Sequence, residues 1–399
     1  MSTHYRPKRR RAWPALLLLA TLLGLGISES GVGQPGSPNP AAARATPEEL
    51  SSRLQEIYSL RAGMLLTGAD AAKLEKLYAT GTRAGRWALE HERNKIAYLQ
   101  TWAQHRGVRI SEYKVRVRID WLRSRGEAVQ LGVTQSLQLG YRYPGEEPGV
   151  ANRFGIGTRH WVELVPGDGT WLIGREWYVD PLGDDTLVYR PTPAEGPALP
   201  AGVDPSPPPP AGPREGARYN RLGAVAYAEK YAGAAQGEGS NGGYNRRYRD
   251  YNDIGGDCTN FISQVIGDDR EGGGLPQDGT WYYRGAGSAG GAGSTAWVQT
   301  EAFARWLRRS GAARHVARGR FADVALPGAQ FPRGAVRELR VGDIIGYEEK
   351  GEIQHFAVIT AHDSRGYPLV NAHTADRFHS PWDLGWDQST VFWLYQIVD

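Results

Sequence analysis

The chain has 399 residues, 40% hydrophobic and 23% charged, with a formal net charge of +4; this suits two folded domains with linking segments and excludes a wholly disordered chain or a minimal scaffold. Its single cysteine excludes an intramolecular disulfide framework and a cysteine-built zinc cluster. Arg6, Lys8, Arg9, Arg10 and Arg11 account for the basic excess, so the rest of the chain is essentially neutral and gives no sign of a nucleic-acid partner.

Residues 1–30 read as an address. The basic cluster is followed by an apolar run from Ala12 to Ile27, broken by Pro14, Thr21, Gly24 and Gly26, and then by the small residues Ser28 and Ser30. The run is short of the roughly 20 apolar residues of a spanning helix. The reading is therefore a signal peptide, with a retained N-terminal anchor as the alternative, and the protein is expected to be exported, extracellular or associated with the cell surface or wall. It would touch a membrane only through this segment if uncleaved. No cysteine follows the run, which excludes a lipoprotein anchor. Residues 31–45, mostly Gly, Pro, Ser and Ala, read as a flexible spacer.

Order is expected from Thr46. Thr46, Pro47 and Glu49 form a capping-box signature, and Leu50, Leu54 and Ile57 recur at helical spacing. Ile96, Leu99 and Trp102 mark a second helix that Gly107 can close. The period then changes to two: Val115, Val117, Ile119 and Trp121 alternate with polar residues, as do Val129, Leu131 and Val133, and later strands follow at Trp161 and over 171–179. Residues 46–190 thus read as an α+β accessory domain, helices then antiparallel sheet, of the nuclear-transport-factor-2-like or cystatin-like kind. It shows no chemical constellation, and His160 reads as a structural histidine. Residues 191–216, rich in Pro, Ala and Gly with Pro207 to Pro210 consecutive, read as a polyproline linker at the domain boundary.

The segment 217–399 opens with a helical stretch over 222–231 and carries the chemistry. In DIGGDCTNFISQ a Gly-Gly turn precedes Cys258, and Phe261, Ile262 and Val265 follow at helical spacing, which puts the cysteine at a helix start. There the helix dipole and free amides favour thiolate and can hold a developing oxyanion. In QHFAVITA, His355 stands at the mouth of an apolar strand and is the candidate base. Asn371 and His373, two apart on the next apolar run, share a face, and either can orient the imidazole if the strands are adjacent. A lone cysteine is usually an inert core residue; its uniqueness, the turn before it and the later histidine with a polar partner favour a nucleophile. Trp281, Tyr282, Tyr283 and Trp297 flank a Gly-rich stretch over 286–293 and read either as a cleft wall for substrate or as core aromatics. No metal-ligand spacing is present.

The runs YNRLGAVAYAEKYA from Tyr219, DCTNFISQ from Asp257, WYY at 281–283, AW at 296–297, GDII at 342–345, QHFAVIT from Gln354 and NAHTAD from Asn371 resemble the bacterial "putative amidase domain" family over nearly all of the third segment. That family is related to the NlpC/P60 and CHAP groups. The resemblance implies a papain-like α+β domain, a nucleophile-bearing helix packed on an antiparallel sheet, with Cys258 as nucleophile and His355 as general base. It implies Asn371 as the orienting residue, with His373, part of the family's HT motif, as the alternative, and Asn252 as an oxyanion candidate. The expected function is that of an exported cysteine amidase or peptidase cleaving amides of peptidoglycan or cell-wall peptides through a thioester, without metal or cofactor. Two alternatives stand beside it: an inactive amidase-like module that binds the wall, and an acyl transferase using the same pair.

Overall fold

The computed structural model describes residues 46–68, 70–146, 152–182, 192–208, 217–285 and 291–399. The expected export signal and the 31–45 spacer lie outside them, as do both ends of the proline-rich linker.

Helix α1 (Pro47–Thr67) starts at the capping box: Thr46 Oγ1 accepts from Glu49 N at 3.2 Å, and Glu49 Oε2 accepts from Thr46 N at 2.9 Å. A short α2 (Ala71–Glu75) leads to α3 (Arg83–Arg106), which Gly107 closes in the left-handed conformation at φ +65°. The apolar faces of α1 and α3 bury Leu54, Ile57, Ile96, Leu99 and Trp102 against β1 (Arg109–Arg125), β2 (Ala128–Arg142), β3 (Asn152–Pro166) and β4 (Trp171–Tyr178). Val115, Val117 and Ile119 face this core as their alternation predicts. Trp121 does not, because a bulge between Ile119 and Trp121 turns it to the outer face.

The second half contains α4 (Arg221–Lys230), α5 (Cys258–Gly267), the short strands β5 (Tyr283–Arg284) and β6 (Ala292–Gly293), α6 (Thr295–Val298), α7 (Thr300–Arg309), β7 (Ala313–Gly319) and α8 (Phe321–Ala325). It ends with β8 (Ile344–Glu349), β9 (Glu352–His362), β10 (Pro368–Ala372), β11 (Asp376–Pro381) and β12 (Val391–Ile397). The molecule is α+β with antiparallel pairing throughout its main sheet, in the order β1-β2-β3-β11-β10-β9-β8-β12-β7, with β4 on the same edge of β3 as β11.

The sheet does not stop at the linker. β11 pairs with β3 through Asp376↔Gly157, Arg377↔Ile156 and Phe378↔Gly155, so both halves share one ten-stranded sheet. The linker residues 192–208 are held against the body rather than standing off as a spacer. Arg106 donates to the carbonyls of Ala194 at 2.8 Å and Gly196 at 2.7 Å, and Arg337 donates to that of Ala198 at 3.3 Å. Extended Pro-rich backbone has no internal hydrogen bonds, so its carbonyls are open to such donors.

Two apolar cores cover the two faces of this sheet. One contains α1, α3, the inner faces of β1–β4 and Ile345, Tyr347, Ala357, Ile359, Phe392 and Leu394 of the second half. The other packs α4, α5, α6 and α7 on Ile344, Phe356, Val358, Tyr395 and Ile397. Inside the first half, Arg61 is buried between Glu92 and Glu176, the latter at 2.8 Å. Glu176 also accepts from Tyr58 at 2.8 Å and pairs with His160 at 2.7 Å, which confirms His160 as a satisfied buried histidine.

Candidate functional site

All ten residues of α5 are buried, and Cys258 is its first residue, 8% exposed. The chain enters the helix through Gly255 and Gly256 at φ +128° and +104°, backbone that an L side chain would strain. Asp257 fixes the entry: its Oδ1 accepts from Tyr251 N at 3.0 Å and Asn260 Nδ2 at 2.8 Å, and its Oδ2 contacts His373 Nδ1 at 2.7 Å.

The free amides expected at this helix start are occupied. Thr374 Oγ1 accepts from Asp257 N at 2.7 Å and from Cys258 N at 3.1 Å. Thr374 holds this position from a turn after β10 with φ +76°, unusual for a β-branched residue. Sequence reasoning did not single it out, although it is the Thr of the HT pair in NAHTAD. The thiol itself lies 3.8 Å from Thr259 Oγ1, and the N–H of Phe356 on β9 is directed at the sulfur. Burial pushes the thiol pKa up, and the Thr259 hydroxyl with the N–H groups of Phe356 and Thr259 only partly opposes it. The expected depression is therefore absent: burial outweighs the donors at the sulfur, and the amides of Asp257 and Cys258 are taken by Thr374.

The structure does not bring His355 to Cys258. Along β9, Phe356 and Val358 face α5, so His355, Ala357 and Ile359 face the opposite core. His355 pairs in register with Tyr347, and its ring lies 5.7 Å from that of Tyr347 and 5.6 Å from that of Trp386. Its Nε2 is buried without a hydrogen-bond partner, and burial, with the charges of Arg377 and His373, pushes its pKa down to about 3. The QHFAVIT pattern alone does not say which face the histidine takes; the register of β8 on β9, with its irregularity between Tyr347 and Glu348, decides it.

Asn371 and His373 do share a face, and it is the face of α5. Neither touches His355. Asn371 Oδ1 accepts from Thr360 Oγ1 and His379 N, both at 2.8 Å, while its Nδ2 donates to Ala228 O at 3.0 Å. His373 is stacked between Phe261 and Tyr244 at ring distances of 3.7 and 3.9 Å and bridges Asp257 to Tyr231 O at 2.6 Å. Both ring nitrogens of His373 are thus engaged, and neither is left for the thiol. Asn252 Nδ2 is likewise engaged, with Tyr244 OH at 3.0 Å and Asp250 Oδ1 at 2.8 Å.

The aromatic candidates divide. Trp281 and Trp297 are fully buried and stacked on each other at 4.7 Å; Trp281 Nε1 donates to Ser263 at 2.9 Å and Trp297 Nε1 to Asn260 at 3.1 Å. They are core residues behind α5, as indole pairs with satisfied N–H groups usually are. Tyr282 is half-buried beneath Arg284. Among the described residues, no three His, Cys, Asp or Glu side chains converge where a metal ion would sit.

Residues 218–395 match the family described as "Putative amidase domain". The uncharacterized protein YhbB of Bacillus subtilis (strain 168) is 30% identical over 183 residues, 44% of this chain and 47% of that protein, so the chain spans about half the length of the relative. Among solved structures, the intermembrane space region of chloroplast protein ARC6 is similar at a TM-score of 0.26 and 10% identity, over 34% of this chain and 97% of that one, a likeness too low to bear on fold or function. The family match points to a hydrolase acting on amides.

Proposed function

We propose, from the amidase match over residues 218–395, that this half hydrolyses an amide with the Cys258 thiol as nucleophile. The observation that supports this is the placement of the sulfur at the start of a buried helix, against the N–H of Phe356 and one residue along β9 from His355. A helix carrying the nucleophile against an antiparallel sheet is also the arrangement of a papain-like domain, here with residues 46–182 as an α+β accessory half of nuclear-transport-factor-2-like or cystatin-like kind.

The resting site holds the pair apart, so catalysis needs β9 to present His355 on the α5 face. The pairing passes from Tyr347↔His355 to Glu348↔Ile353, which leaves Gln354 extra beside the histidine. Moving that bulge past His355 exchanges the face of its side chain without disturbing the rest of the ladder. The neutral imidazole then takes the thiol proton, and the thiolate adds to the amide carbonyl. Thr374 Oγ1 already sits between two helix amides, where an oxyanion would sit, and the carbonyl oxygen displaces it. The C–N bond breaks as the imidazolium protonates the amine, leaving a thioester. Water, deprotonated by the same imidazole, cleaves it and restores the thiol. Asp257 and His373 act as positioning residues that anchor the nucleophile to β10.

The substrate we read as peptidoglycan or a wall peptide, and the protein as exported; both rest on the basic-then-apolar stretch at residues 1–30 and on the family's relatives. A second reading, an inactive module that binds wall peptides, is favoured by His355 facing away and by the occupied amides. Amine release from soluble wall fragments by the full chain, compared with Cys258→Ser, separates them. Turnover that vanishes in the variant with unchanged circular dichroism supports the thiol mechanism, whereas equal turnover in both removes it. Binding of fragments with no turnover by the unaltered protein favours the second reading.

A further inference from the structure

The outer face of β1–β4, opposite the α1/α3 core, carries a row of tryptophans. In register across the four strands stand Trp121 on β1, Gly132 on β2, Trp161 on β3 and Trp177 on β4. Trp121 is 40% and Trp177 66% exposed, and Trp161 is half-buried between them. A Cβ at Gly132 would fall 2.1 Å from Trp121 Nε1, so the Trp121 indole lies along the backbone of the neighbouring strand. The row is therefore a platform, about 14 Å across three strand spacings.

Its rim is cationic. Arg123 and Arg175 lie in the adjacent row, over Trp121 at 5.4 Å and over Trp161 at 5.9 Å. Among the described residues neither arginine pairs with a carboxylate. Between them the same row carries Gln130 hydrogen-bonded to Glu163 at 2.9 Å, and on the other side Thr134 donates to Asp120 at 2.6 Å.

Such a surface combines flat apolar rings, unpaired guanidinium groups and planar acceptors. The apolar C–H faces of sugar rings suit the indoles, carboxylates suit the free arginines, and hydroxyl groups suit Glu163, Gln130 and Asp120. The acceptors Glu163, Gln130 and Asp120 call for a partner that also carries hydroxyl or amide donors, which a polyphosphate chain lacks, and an indole laid along a strand does not project as an inserting anchor does. The face is also continuous with the one that α5 covers: α4 and α5 pack on the same side of the shared sheet, and the chain after α4 crosses it at Gly155 and Gly157, where Gln236 and Ala234 lie against the strand. Trp161 lies four residues further along β3, about 13 Å.

We infer that this tryptophan row is a second binding face, one that holds a carboxylate-bearing amino-sugar chain on the Cys258 side of the sheet. The choice of polymer rests on the wall-substrate reading above; the face would hold the glycan while its peptide branches reach the thiol.

The test uses the full chain carrying Cys258→Ala, cosedimented with purified insoluble peptidoglycan, with and without Trp121→Ala and Trp177→Ala together. Phosphatidylcholine vesicles containing phosphatidylglycerol and a single-stranded oligonucleotide serve as the competing anionic partners. The expected result is retention on peptidoglycan that weakens with salt and falls by about tenfold or more in the double variant, whose circular dichroism is unchanged. Equal retention of the double variant overturns the inference, and so does binding to vesicles or oligonucleotide without binding to peptidoglycan. In protein with Cys258 intact, the same tryptophan substitutions leave turnover of a small soluble wall fragment unchanged; loss of that turnover would place the tryptophans in the reaction site and overturn a separate face. If the unaltered protein turns over no fragment, the amidase reading fails, and the cosedimentation result still decides this one.

Discussion

Thr374 and His355 show how single side chains set the state of the site. Thr374 Oγ1 satisfies two amides at the start of α5, and a buried donor left without a partner costs about 1–3 kcal/mol. Thr374→Val is therefore expected to lower the melting temperature by several degrees while Thr374→Ser retains it, measured by thermal denaturation. Equal melting of both variants and the parent would show that the hydroxyl does not carry this cap. For His355 the argument runs through protons. Its folded pKa of about 3 lies below the ordinary histidine value, so above about pH 6.5 neither state binds the proton and the full stability is present. Below that, the unfolded chain takes up the proton first, and stability falls by about 1.4 kcal/mol per pH unit for this group until the folded pKa is reached. His362, pushed down by burial to about 4, and His160, lowered by burial, add to the same acid limb. The decline in urea midpoint between pH 7 and pH 4.5 is expected to be shallower for His355→Phe than for the parent. An identical decline would mean that His355 is not buried neutral.

Among the elements, β3 matters most because it serves both halves. Its glycines are places where something else approaches: a Cβ at Gly157 would meet the backbone of Ala234 and Ala235 at 2.4 Å. Gly157→Ala must lift that segment or bend the strand, with a cost of about 1–3 kcal/mol typical of overpacking. Faster amide exchange over residues 231–238 together with a lower melting temperature is the expected signature; unchanged exchange there would contradict this close approach. β9 is the other decisive element, since its bulge at Gln354 sets the face of His355 while Ala357 and Val358 stay paired with β8, and Val358 and Ile359 with β10.

On the scale of the whole molecule, one sheet with a core on each face makes the halves interdependent. Without residues 46–208, β11 would be left with a free edge, Asp383 would lose Trp102 and Arg106, and Asp363 would lose Tyr141 and Tyr143. The full chain is thus expected to unfold in a single cooperative transition, coincident by calorimetry and near-ultraviolet circular dichroism, and residues 217–399 alone to aggregate or remain partly folded. Two separate transitions, or a soluble 217–399 fragment with native-like dispersion in its NMR spectrum, would show independent domains.

Much of the local structure was legible because its causes are local. The capping box at Thr46, the Gly107 stop, the helix at Cys258, the strand period after Arg109 and the shared face of Asn371 and His373 follow from side chains within a few residues of one another. Trp121 was misread because one bulge inverts a period-two pattern. The candidate site was legible as residues but not as contacts. Helix position alone argued for an acidic thiol at Cys258, yet the dielectric around the sulfur and the use of its amides depend on Thr374, 116 residues away in the chain. The type and spacing of residues determined by themselves the α+β elements and the resemblance to the amidase family. Only the tertiary structure decided that both halves share one sheet, that His355 faces away from the thiol, and that Trp121 and Trp177 stand exposed on one face of it, because strand register and burial are set by pairings between segments far apart in sequence.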